Sequence, residues 1–202
     1  MTLVGIDHSF SFPIAYFDRY SLPRDWPSFL EDFQRHWPTD EPRAYIDFIR
    51  DGDVGEGFKR MGENSWLRMG ETTWLRLTER WTATAKSVFL FDVQDSVAKS
   101  TFAGLPWLLY LRNWCKPPIH FWPFDGWAVP EGKSVIAEVY PSLWTRRFPR
   151  DVRDGDEQAA FAVAAWLQRA DLNGSLGSFL KPTLTPDERE VAAIEGWILG
   201  VV

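Results

Sequence analysis

The sequence predicts an α/β or α+β fold, with a mixed sheet flanked by helices. Three observations carry this. Short apolar runs at 2–7, 86–92 and 133–141 read as strands, and segments of helical period lie between and after them. The runs are continuous rather than alternating, which suits strands covered on both faces. No shift in composition divides the 202 residues, so one domain over 1–202 is expected, with a local loop or hairpin elaboration at 51–85.

Each element has its own signal. "TLVGID" at 2–7 is a short buried strand ending in an acid, and "SFPIAYFDRY" reads as a following strand with Pro13 near its start. "WPSFLEDFQRHW" at 26–37 has helical spacing, with Pro27 in the first turn. "AYIDFIR" at 44–50 alternates as a strand, and "DGDVGEG" supplies a turn. "RMGENSWLR" at 60–68 recurs as "RMGETTWLR" at 68–76, too few copies for a solenoid. Its Arg60, Arg68 and Arg76 read as a solvated charged face.

"KSVFLFD" at 86–92 is a second strong strand, followed by a loop and a helix that Gly104-Leu105-Pro106 should break. "PPIHFWPFDGW" holds one strand at most, and "KSVIAEVYP" at 133–141 is the third strong strand. A helix opens at "DGDEQAAFAVAAWLQRA", capped by Asp154 or Asp156. The last helix begins at Thr185 with Pro186 and Glu188 completing a capping box.

Composition narrows the function. The formal charge of -6 argues against a protein that coats nucleic acid by neutralising phosphates, and leaves room for an acidic, metal-dependent site. A single cysteine, Cys115, excludes an intramolecular disulfide framework and a multi-cysteine zinc site. No apolar run reaches a membrane span and no signal-peptide pattern is seen, so no membrane contact and a soluble, cytoplasmic protein are expected. The 12 tryptophans are spread from Trp26 to Trp197, which reads as core and rim filling ahead of a base-stacking surface.

The acids carry the chemistry. Asp7, Asp92 and Glu138 each lie near the C-terminal end of an apolar run. Buried carboxylates are costly to ionise, and converging ones repel. A hard cation such as Mg²⁺ or Mn²⁺ relieves the repulsion, and phosphodiester hydrolysis uses that arrangement. Three strand-end acids facing solvent or capping neighbouring helices would be the plain structural alternative. His8 follows Asp7 and is placed to move a proton or orient a water. Lys86 and Lys99 flank the expected Asp92 strand within reach of a scissile phosphate.

"VGIDHSF", "VFLFDVQDSVAKSTFAGLP" and "VIAEVYPSLW", in that order, resemble a widespread family of RNase-H-like nucleases. The resemblance spans nearly the whole chain, and its E-V-Y-P and G-L-P pieces are the specific ones. It implies an RNase-H-like mixed sheet of about five strands flanked by helices, with Mg²⁺- or Mn²⁺-binding acids near its centre. Carried over by position, Asp7, Asp92 and Glu138 match the three strand acids. Asp156 matches the first acid of the family's helical motif, while Ala159 stands where the second is expected, with Glu195 a substitute. The implied activity is metal-dependent cleavage of nucleic acid; a sheet edge leaves room for a homodimer. The alternative is a catalytically degraded module that binds a protein or nucleic-acid partner. An actin-like ATPase is disfavoured, because "HSFSFP" after Asp7 lacks the glycine of a phosphate turn.

Overall fold

The computed structural model describes residues 2–42, 44–46, 67–82 and 84–202. In chain order these form β1 (Leu3–Ile6), α1 (Ile14–Tyr20), α2 (Trp26–His36), α3 (Leu77–Arg80) and α4 (Ala98–Trp114). There follow β2 (His120–Trp122), β3 (Val135–Glu138), α5 (Gly155–Leu172), α6 (Leu176–Phe179) and α7 (Pro186–Glu195). Two 3₁₀ turns, Pro141–Leu143 and Thr145–Arg147, connect β3 to α5.

The sheet corrects the sequence reading. Instead of a five-stranded RNase-H-like mixed sheet, the described residues hold three short strands in the order β1-β3-β2. Both pairings are parallel, with Leu3 opposite Val135 and Ile6 opposite Glu138. The α/β class stands; the RNase-H-like sheet does not.

Period-two alternation sends the strand residues to two cores. Ile6, Phe121 and Ile136 face an aromatic cluster packed with α1, α2 and α4. Leu3, Trp122, Val135 and Ala137 face a second cluster that includes Trp166 of α5 and Ala192 of α7. Phe12 is the hub of the first, with Tyr16, Phe29, Phe89 and Phe102 rings at 4.8, 5.1, 4.9 and 5.2 Å. The first three are edge contacts, which suit the ring quadrupole, and Phe102 lies tilted at 31°. Among the described residues, six tryptophans, Trp37, Trp122 and Trp197 among them, are buried, in keeping with core filling.

Three segments differ from the sequence reading, each for a nonlocal reason. Of residues 11–20, expected as a strand, Ile14–Tyr20 form α1, because a carboxylate from α7 caps its first turn. Residues 86–92, expected as a strand, run as turns. Their Val88, Phe89 and Phe91 are nevertheless buried in the aromatic cluster, filling core volume without a ladder partner. The break expected at Gly104-Leu105-Pro106 is absent, and α4 runs through Pro106. Proline removes the N–H that would bond the carbonyl of Phe102 four residues back. The Thr39 hydroxyl donates to that carbonyl at 2.5 Å, so nothing is left unpaired. Of the strand expected at 44–50, residues 44–46 are not strand and the rest lie outside the described residues.

The remaining elements form as read. Asp25 caps α2 through the Ser28 N–H at 3.0 Å. Asp154 with Glu157, and Thr185 with Glu188, close reciprocal capping boxes on α5 and α7. Among the described residues, no helix is long and apolar enough to cross a membrane.

Helix α4 presses hardest on the site at Gly104, where an added Cβ would lie 2.3 Å from His8 Nε2. The His8 ring is buried and its Nδ1 is 3.0 Å from the Ser9 carbonyl, so it has little room to yield. Overpacking of this kind costs about 1–3 kcal/mol, against a helix-propensity gain of about 1 kcal/mol for alanine over glycine. Gly104→Ala is therefore expected to lower the urea midpoint; an unchanged or higher midpoint would mean that His8 swings clear.

Candidate acidic site at the strand ends

Asp7 and Glu138 reach the same end of the sheet, since β1 and β3 are parallel and Ile6 is registered with Glu138. One residue of offset then separates them. Glu138 shares the face of Ile136 and turns inward, whereas Asp7, one step past Ile6, turns towards α5.

Inward, Glu138 meets Arg76. The guanidinium forks onto the carboxylate, with Nη2 2.6 Å from Oε1 and Nη1 2.7 Å from Oε2. It also donates to Glu79 Oε1 at 2.8 Å, the Ser9 hydroxyl at 2.9 Å and the Glu195 backbone carbonyl at 3.2 Å. Arg76 is 1% exposed, which overturns its reading as part of a solvated face. Burial alone would lower the arginine's pKa; the Glu138 and Glu79 carboxylates more than reverse this and hold it above its ordinary value. Burial raises Glu79, with Arg76 pulling the other way. The clue in the sequence is position: Arg76 interrupts an apolar run, Trp74-Leu75-Arg76-Leu77, where a surface arginine is out of place. Of the other repeat arginines, Arg68 is partly buried against both carboxylate oxygens of Asp32 at 2.8 Å, and Arg60 lies outside the described residues.

Outward, Asp7 opens onto a groove of about 680 Å³ between β1 and α5. Its wall is apolar and small-featured, with Ala159, Ala160, Val163 and Leu167 from α5. Asp7 and Asp156 line the groove, with Asp171 further along α5 and no lysine or arginine among its lining residues. Asp7 also borders a second, narrow space of about 20 Å³, shared with His8, Glu138, Lys86 and Asp95. That volume suits one water or one small ion. Although its surface is exposed, Asp7 sits against enough protein to lose part of its hydration. This burial, followed by the Glu138 and Asp156 charges, pushes its pKa up to about 6.

The other sequence-derived candidates lie elsewhere or are already engaged. Asp92 is on an exposed turn, not at a strand end, and borders neither space. Asp95, in a left-handed conformation at φ 58°, takes the position nearer the site. Glu195 is a structural cap: its Oε1 accepts from the Ile14 N–H at 2.7 Å and its Oε2 from the Leu77 N–H at 2.5 Å. Those two donors open α1 and α3, so one carboxylate serves two helix starts. Burial holds its pKa above the ordinary carboxylate range despite these bonds. His8 is buried beneath Gly104, and desolvation lowers its pKa, leaving it neutral near pH 7. Lys86 donates to the Gln94 carbonyl beside the narrow space, and Lys99 is exposed on the first turn of α4.

Among the described residues, no three histidine, cysteine, aspartate or glutamate side chains converge into a ready-made metal cage. The pair that fits a cation is Asp7 with Asp156, which line the same groove. Two carboxylates suit Mg²⁺, which retains waters and takes substrate phosphate oxygens to complete its shell. Glu138, with both oxygens held by Arg76, fits the role of ligand poorly. No family model, curated protein or solved structure matches the chain. The nuclease resemblance therefore rests on the quoted motifs alone.

Proposed function

We propose that the protein is a divalent-cation-dependent phosphodiesterase acting on nucleic acid, with Asp7 and Asp156 as the residues that hold Mg²⁺ or Mn²⁺. The observation that carries this reading is the placement of Asp7. It stands at the parallel strand ends beside a groove large enough for a nucleotide unit, where burial first, and then the Glu138 and Asp156 charges, raise its pKa to about 6. Bound there, the ion would polarise a phosphate and lower the pKa of an attacking water.

The chain's own residues supply the rest. The Ala159–Leu167 wall takes the flat apolar part of a nucleotide and excludes water from one side. Glu138, fixed by Arg76, keeps negative charge behind Asp7 and so maintains its basicity. An Asp7 held near 6 before the cation binds is mostly ionised at neutral pH, so its carboxylate is available as a ligand. The acid lining without lysine or arginine makes cation a requirement for substrate, because a phosphate alone would be repelled.

Ala159, which borders the groove where an acid was expected, favours a second reading: a binding module without hydrolysis. Mn²⁺ calorimetry on wild type and Asp7→Asn, followed by a screen of single- and double-stranded DNA and RNA, separates them. Saturable binding lost in Asp7→Asn, with cleavage by wild type, is expected. Metal binding without cleavage would select the binding module, and no metal binding would remove the phosphodiesterase.

A further inference from the structure

The outer face of α4 carries a row of exposed rings. Trp107, Tyr110 and Trp114 are 52%, 52% and 71% exposed, at the spacing that places residues on one side of a helix. The opposite side is core: Leu105 and Leu108 are buried. Hydrophobic packing of the helix thus accounts for none of the three rings, and contiguous exposed aromatic surface marks an interaction site.

Charge and geometry identify the occupant. From Ser96 to Phe124 the sequence contains Lys99, Arg112 and Lys116 and no acid, in a chain with 28 acids against 22 bases. Arg112 pairs with Asp125 at 2.7 Å, and Lys99 and Lys116 lie on the surface at the two ends of the helix. A neutral partner gains nothing from that segregation; a polyanion does. Tyr110 and Trp114 are within 28° of parallel, with centroids 6.4 Å apart. Successive bases stacked at about 3.4 Å can each lie on one of these near-parallel rings. Trp107 lies 5.9 Å from Tyr110 and extends the row. Gly104, against His8, is three residues before Trp107, so the row starts about 4.5 Å along the helix from the site.

We infer that the Trp107–Tyr110–Trp114 ridge binds single-stranded nucleic acid by stacking its bases, with the flanking lysines against phosphates. The inference rests on the nucleic-acid part of the proposed function and needs none of its chemistry.

The test is fluorescence anisotropy with a labelled oligothymidine of about 20 nucleotides, longer than a single-strand site of ~4–16, in EDTA so that cation-dependent cleavage is silent. Wild type is expected to bind saturably at low salt and to weaken about sevenfold between 50 and 200 mM salt, as two phosphate contacts require. Trp114→Ala should weaken binding roughly tenfold, and Tyr110→Ala with Trp114→Ala further; both are surface changes, checked by unaltered thermal melts. Binding in EDTA, where the acidic site has no cation to hold a phosphate, separates the ridge from that site. Equal binding by the ring variants, or none by wild type, overturns the inference. Partition onto phosphatidylserine vesicles, or a dimer abolished by Trp114→Ala, without oligonucleotide binding would reassign the ridge and overturn it equally.

Discussion

Replacing Arg76 by methionine is expected to remove about 3–5 kcal/mol of folding stability, a large share of the 5–15 kcal/mol typical of a domain. Methionine keeps much of the volume, so the loss comes from charge. The guanidinium is the only cation in direct contact with the buried carboxylates of Glu138 and Glu79 among the described residues, and it reaches both within 2.8 Å. Without it, two carboxylates are left in the interior with no cation in contact. Lysine should not rescue, because it lacks the planar fork that engages both oxygens of Glu138. Adding Glu138→Gln to Arg76→Met should recover part of the loss, the double-mutant signature of a coupled pair. Glu79 lies above its ordinary value already, and loss of the guanidinium raises it further. The variant's folded state then holds protons that the unfolded chain releases, so its stability should fall as pH rises. Guanidinium denaturation across pH reads both effects, and a change under about 0.5 kcal/mol, the usual surface range, would mean that the network is not structural.

Asp7→Asn is expected to abolish cation-dependent cleavage, a loss of about 10²–10⁴-fold, while making the metal-free protein more stable at neutral pH. The sign follows from linkage. The folded pKa of Asp7 is about 6 and its ordinary value 3.8, so between them the folded state binds more protons than the unfolded chain. Stability of the wild type should then decline as pH rises from about 4 through 6, and the penalty remains in full above. Asparagine does not titrate, so its advantage should be present at pH 7 and vanish at the acid end. Solvent reaches Asp7, so the difference should also shrink with salt. Mg²⁺ should raise the melting temperature of wild type at pH 7 and leave the variant unchanged. Melts at several pH values with and without Mg²⁺ measure this, and parallel curves for both proteins would remove Asp7 from any cation site.

The residues that could be read from the sequence were those whose causes are local. The capping boxes at Asp154 and Thr185 and the short runs around Val4 and Ile136 need no distant partner to declare themselves. The errors share the opposite property. Pro106 looks like a break until Thr39 supplies the missing donor, and residues 11–20 look extended until Glu195 caps them. The buried run at 86–92 has the composition of a central strand, yet composition reports burial and not pairing. The acidic site was half legible for the same reason. Strand-end position brings Asp7 and Glu138 together, and the helix start brings Asp156. Which carboxylate is neutralised, however, depended on an arginine 62 residues from Glu138.

The double cap by Glu195 sets a constraint on how the chain acquires its shape during synthesis. Its two acceptor bonds reach back 181 and 118 residues, to helices of seven and four residues. Helices that short do not persist alone in water. Nearby, the Ile198 N–H donates to the Thr78 hydroxyl at 3.1 Å and the Leu199 N–H to the Glu138 carbonyl at 2.9 Å. The strand end, the arginine segment and the first helix are thus all fastened by residues 195–199. Emerging from the ribosome in order, the earlier segments have no means of settling until those last ones arrive. Chains truncated before Glu195 should therefore be cut readily by protease at α1 and α3, which the full chain protects.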